Sequence, residues 1–235
     1  MARRGLVLGG GGFFGAFQAG VYEVIGGEFD CVAGASAGAL NGWAIASGMP
    51  PAELQRLWRR AAETARGGLH RPRYWGDGLL AAGNLEAMVR ELVSAWRPRL
   101  PLGVVVSRGW SFRQELISGD DVTADVLLAS CAVPGLLPGR RLGGALAMDG
   151  GLRDACPLWT ARAMGAVEIV GVNVWKDLPW WYPRRERRRG GDGVTMIEPA
   201  RRLAPLRRSA LAGPEEVDAW IDLGRRAART VFARQ

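Results

Sequence analysis

Apolar residues along this chain gather in short runs, each bounded by glycine, proline or charge. The runs at Gly5 to Gly9, Phe29 to Ala35, Leu102 to Ser107, Ala145 to Met148, Val167 to Val174 and Val194 to Glu198 are short and nearly free of polar positions. That pattern predicts strands buried on both faces. Helical stretches alternate with them. The first follows a run of glycines and reaches about Ile25, and the second, Ala37 to Ser47, is built of small and apolar residues suited to close packing. Strand alternating with helix predicts an α/β class: a three-layer α/β/α sandwich with a mainly parallel central sheet.

At 235 residues and 48% hydrophobic content the chain can bury a sizeable core. No linker or internal repeat divides it, so one domain over residues 1–235 is expected. Residues 5–22 are uncharged behind Arg3-Arg4, which invites a signal-peptide reading. Their many glycines argue against it, and cleavage would remove the strand that leads into the glycine turn. The three cysteines, Cys31, Cys131 and Cys156, are scattered, so neither a disulfide framework nor a zinc cluster is indicated and no metal or cofactor is expected. A reducing cytosol is the simplest compartment.

Net charge is +8, carried almost wholly by arginine. Its sharpest cluster is Trp180-Trp181-Tyr182-Pro183-Arg184-Arg185-Glu186-Arg187-Arg188-Arg189. Aromatic residues beside cations suit docking on an anionic lipid surface, and the same composition suits a solvated loop equally well. No nucleic-acid reading motif accompanies the charge, so nucleic acid is not an expected partner.

The candidate chemistry begins with Ser36 in Gly34-Ala35-Ser36-Ala37-Gly38, between a predicted strand and a predicted helix. A G-x-S-x-G pentapeptide holds serine on a sharp strand-to-helix turn. There the helix N-terminus favours developing negative charge. More than a hundred residues later stands Asp149-Gly150-Gly151, behind the uncharged stretch Leu142 to Met148. Asp-Gly also reads as a simple turn. The only histidine, His70, precedes Asp149 and follows Ser36, so none of the familiar triad orders is available. Its surroundings, Arg66 to Arg73, read as a basic loop.

A third element is the run Gly9-Gly10-Gly11-Gly12-Phe13-Phe14-Gly15 at the end of the first predicted strand. Bare backbone N–H groups there suit an oxyanion, which places Gly10, Gly11 and Gly12 as candidate oxyanion-hole residues. Gly10-x-Gly12-x-x-Gly15 also fits a dinucleotide fingerprint. That reading needs an acidic residue at the end of the next strand, where Gly34-Ala35-Ser36 stands instead.

Taken together, these segments resemble the patatin-like phospholipase family, whose pattern is G-G-G-x-[RK]-G, then G-x-S-x-G, then D-G-[GA]. Ala129-Ser130-Cys131-Ala132-Val133-Pro134-Gly135 resembles the family's A-x-x-A-[IV]-P-G segment ahead of the aspartate, and the resemblance spans nearly the whole chain. It implies a serine lipid acyl hydrolase with a Ser36–Asp149 dyad, in which Asp149 is the general base and a lipid ester the substrate. The physics asks that burial raise the pKa of that aspartate. Two positions depart from the pattern. Phe14 stands where the family carries Arg or Lys, which removes a positive charge but no backbone donor, and Ala155 where it commonly carries Asn. The alternative is a non-catalytic lipid- or protein-binding relative whose Phe14 marks a decayed site.

Overall fold

The computed structural model describes residues 3–26, 28–64, 82–109, 111–176 and 192–233. Among them eight strands form one sheet: β1 (Arg4–Leu8), β2 (Cys31–Ala35), β3 (Leu102–Arg108), β4 (Arg113–Ser118), β5 (Arg140–Leu142), β6 (Ala145–Asp149), β7 (Glu168–Val172) and β8 (Val194–Ile197). Every strand read from the apolar runs is present, with ends shifted by up to two residues. The two additional ones are β4, whose side chains are mostly exposed or half-buried, and β5, only three residues long. Neither carries the apolar run that marks a strand buried on both faces.

Among the described residues seven α-helices accompany the sheet: α1 (Gly15–Ile25), α2 (Ala37–Ala46), α3 (Pro51–Thr64), α4 (Ala82–Ala95), α5 (Ala124–Ser130), α6 (Trp159–Ala163) and α7 (Pro214–Phe232). The sheet is mostly parallel. Strands β3, β2, β1, β7 and β8 run side by side in one direction, whereas β4 and β6 pair antiparallel with β3, and β5 pairs antiparallel with β6.

Along β1 successive side chains enter opposite faces, as a pleated strand requires. Leu6 and Leu8 join the main core under α1, α2 and α7, while Val7 joins a smaller cluster with Cys31, Leu158, Ala161 and Ile169 on the α6 side. The expected cover on both faces is therefore present but unequal. The long cover helix α7 starts at Pro214, and the Gly213 N–H before it donates to Glu216 at 3.0 Å. It buries Val217, Trp220, Ile221, Gly224 and Ala228, which fall on one side of the helix, and so turns one apolar stripe toward α1.

One register decides where chemistry can occur. β4 pairs with β3 from Gly103 to Arg108 and so occupies one whole edge of it. β2 pairs with Leu102 to Val105 and β6 with Val106 to Arg108; each overlaps the span of β4, so both must lie on the opposite edge. Ala35 is opposite Val105 and Asp149 opposite Val106. Two strands thus arrive from opposite directions and end head to head.

Candidate active site

Ser36 is the residue at which β2 must turn aside. Its backbone has φ 55° and ψ −128°, and it is one of two non-glycine residues with positive φ among those described. Such a conformation costs on the order of 1–3 kcal/mol and persists only where its surroundings impose it. The flanking glycines permit it sterically: a Cβ on Gly34 would lie 2.3 Å from the Gly38 carbonyl oxygen, and one on Gly38 would lie 2.1 Å from that of Leu8. The Ser36 carbonyl accepts the Ala39 N–H at 2.8 Å, which starts α2. Its own N–H donates to the Ser130 hydroxyl at 2.8 Å, and that hydroxyl donates to the Val105 carbonyl at 2.7 Å.

Asp149 ends β6 in the facing position. Its N–H donates to the Ala132 carbonyl at 3.0 Å, and its Oδ1 accepts the Gly151 N–H at 2.7 Å. The other carboxylate oxygen, Oδ2, is buried with no hydrogen-bond partner among the described residues. Burial pushes the carboxyl up to about 6, against the opposing influence of the Ser36 hydroxyl and the Gly151 N–H. The Ser36 hydroxyl is therefore close enough to be felt by the carboxylate, yet no hydrogen bond of ordinary length and angle joins them. Catalytic pairs commonly close to full contact only when substrate is bound. Beside them lies the Cys131 thiol, raised far above its ordinary pKa by burial and then by the Asp149 charge, and so kept neutral.

The glycine turn packs against the same point. A Cβ on Gly10 would lie 3.1 Å from that of Ser36. Of the three expected oxyanion donors, Gly10 requires correction: its N–H donates to the Ala155 carbonyl at 2.7 Å, because the loop after Asp149 closes on the turn, and so it is not free for an oxyanion. Among the described residues, no hydrogen bond takes the N–H of Gly11 or Gly12. The same contact accounts for Ala155. That position serves through its backbone carbonyl, which any residue supplies.

Phe14 is 1% exposed and sits in the core, its ring edge-on to Trp175 at 5.3 Å and to Trp220 at 4.9 Å between centroids. A side chain so buried contributes about 2–3 kcal/mol by leaving water, where an unpaired Arg would be costly. Ser130 was not evident as a site residue from sequence. The available signal was a lone hydroxyl in the apolar stretch Val126 to Ala132, which on a buried helix needs a partner.

His70 and the Trp180 to Arg189 cluster lie outside the described residues. Among the described residues, no group of three or more His, Cys, Asp or Glu is placed to hold a metal ion, and no helix is long and apolar enough to cross a membrane.

The profile of the family described as Patatin-like phospholipase matches residues 6–162, about two-thirds of the chain, and takes in the glycine turn, Ser36 and Asp149. Among solved structures the chain is similar to VipD from Legionella pneumophila, at 15% identity with a TM-score of 0.61, over 100% of this chain and 67% of that one. It is also similar to the type III effector protein ExoU, at 14% identity with a TM-score of 0.47, over 99% of this chain and 53% of that one. The likeness to VipD supports the α/β fold.

Proposed function

The chain belongs to the patatin-like phospholipase family, and from that membership we propose that it is a lipid acyl hydrolase working through Ser36 and Asp149. The observation that carries this reading is the buried Asp149 carboxylate beside Ser36, with Oδ2 unpartnered among the described residues and its pKa raised to about 6. An ordinary carboxylate is a feeble base toward an alcohol, and one desolvated to that degree is better matched to neutral pH.

The Ser36 hydroxyl proton passes to Asp149 Oδ2 as Oγ bonds to the ester carbonyl carbon. The resulting oxyanion is held by the Gly11 and Gly12 N–H groups and the N-terminus of α2. Collapse breaks the bond to the alkoxy group, which takes the proton from Asp149 and leaves an acyl-Ser36 ester. Water then attacks that ester, giving its proton to Asp149, and the proton returns to Ser36 as the fatty acid departs. The proposed substrates are carboxylic esters of phospholipids, lysophospholipids or acylglycerols.

A fluorophosphonate probe tests the reading. Labelling of the wild type that disappears in Ser36→Ala, together with loss of fatty-acid release, is expected. An unlabelled, inactive wild type would instead favour the non-catalytic binding relative. Contact with an anionic bilayer through Trp180 to Arg189 is proposed on composition alone, and co-sedimentation with anionic vesicles after replacement of its arginines by Gln tests it.

A further inference from the structure

An indole is aimed at the glycine turn. Trp175 Nε1 donates to the Gly10 carbonyl at 2.8 Å, across 165 positions of sequence. The residue making this bond is itself held on several sides. Its N–H donates to Asn173 Oδ1 at 3.1 Å, and Asn173 Nδ2 donates to its carbonyl at 2.8 Å and to Glu198 Oε1 at 2.9 Å. The Phe14 ring packs edge-on against the indole, with Trp220 behind it.

Two successive peptide planes of the turn are fixed in this way. In the first, the Gly9 carbonyl accepts Gln18 Nε2 at 2.7 Å and the Gly10 N–H donates to Ala155 at 2.7 Å. In the second, Trp175 holds the Gly10 carbonyl and the Gly11 N–H has no partner among the described residues. No described peptide bond is cis, and a trans peptide points its C=O and N–H in opposite directions. Holding the Gly10 carbonyl on the indole therefore turns the Gly11 N–H away from Trp175, in a turn whose preceding residue packs against Ser36.

We propose that Trp175 is a positioning residue for the oxyanion hole: its indole N–H, by holding the Gly10 carbonyl, presents the Gly11 N–H to the oxyanion formed at Ser36. The inference rests on the hydrolase reading above. A hydrogen bond accepted by a peptide carbonyl also polarises the N–H of the same peptide and makes it a better donor. Phe14, at the position where the family pattern has a basic residue, braces this indole through ring packing without charge.

Trp175→Phe keeps an aromatic ring against Phe14 and deletes the N–H. With a short, soluble ester, kcat should fall about ten- to hundredfold, as expected for a misplaced catalytic donor, while KM stays within about twofold. The inhibition constant of a trifluoromethyl ketone, which forms an oxyanion on the nucleophile, should rise by the same factor, because it needs the donors that the transition state needs. Asn173→Ala leaves the indole in place but frees its backbone; it should give a smaller loss in the same direction, and it serves as the test if Trp175→Phe does not fold. A folded variant with kcat and inhibition constant both within about twofold of wild type overturns the proposal. A loss confined to KM also overturns it, since Trp175 would then be a substrate contact. A wild type that is neither active nor labelled at Ser36 defeats the hydrolase reading, and this proposal with it.

Discussion

The Ser36 N–H donates to the hydroxyl of Ser130, 94 positions further along the chain, at 2.8 Å. Because that hydroxyl also donates to the Val105 carbonyl, the strained elbow is pinned to the strand against which both β2 and β6 end. Ser130 is fully buried. Its removal leaves a buried donor and a buried acceptor unpaired, each costing about 1–3 kcal/mol.

Ser130→Ala is accordingly expected to lower kcat toward a soluble ester at least tenfold and to slow fluorophosphonate labelling of Ser36, with a measurable drop in thermal stability. Steady-state kinetics on the folded variant provide the check. Unchanged kcat would show that the elbow holds Ser36 without this bond.

With Asp149 as the proposed general base, its raised carboxyl should set the acid limb of activity. A general base must be ionised, so kcat/KM should rise with pH through about 6 and level off above it, following the free-enzyme ionisation. A profile flat from pH 5 to 8 would contradict Asp149 as the base.

The single histidine offers the competing source of such a limb. We expect His70→Ala to retain kcat/KM within a few-fold and to retain the same limb near pH 6. Loss of a general base costs at least roughly a hundredfold, so a drop of that size in a folded protein would return the role to His70.

Stability carries a separate signature of Asp149. Its pKa is about 6 folded and roughly 3.9 unfolded, so between those values the folded state binds more protons and stability falls as pH rises. Above pH 6 the native state bears a cost on the order of 3 kcal/mol for holding this charge. Asp149→Asn removes the charge. In urea unfolding the variant should therefore be more stable than wild type at pH 7 to 8, with the advantage shrinking as pH falls through 6 and gone near pH 4. Equal loss of stability at all pH values would mean that the carboxylate is not desolvated.

Much of this protein follows from its sequence alone. Short apolar runs fixed β1, β2, β3, β6, β7 and β8, because a strand buried on both faces has no polar position to spare. Gly34 and Gly38 around Ser36 marked the elbow, since no larger residue fits there. What lies between these elements was decided only by tertiary structure. β4 reads as polar because it covers one edge of β3. Gly10 is indistinguishable from Gly11 in sequence, and it is the Ala155 carbonyl, by taking the Gly10 N–H, that separates them as donors. Ser130 and Trp175 reach Ser36 and Gly10 from 94 and 165 positions away. Most decisively, Ala35 and Asp149 face consecutive residues of β3, which brings Ser36 to a carboxylate more than a hundred residues distant. Local composition determines which segments become strands and turns, because propensity and burial act within a few residues. Pairing register depends on which remote partners fill the same core, and only the folded chain as a whole settles that.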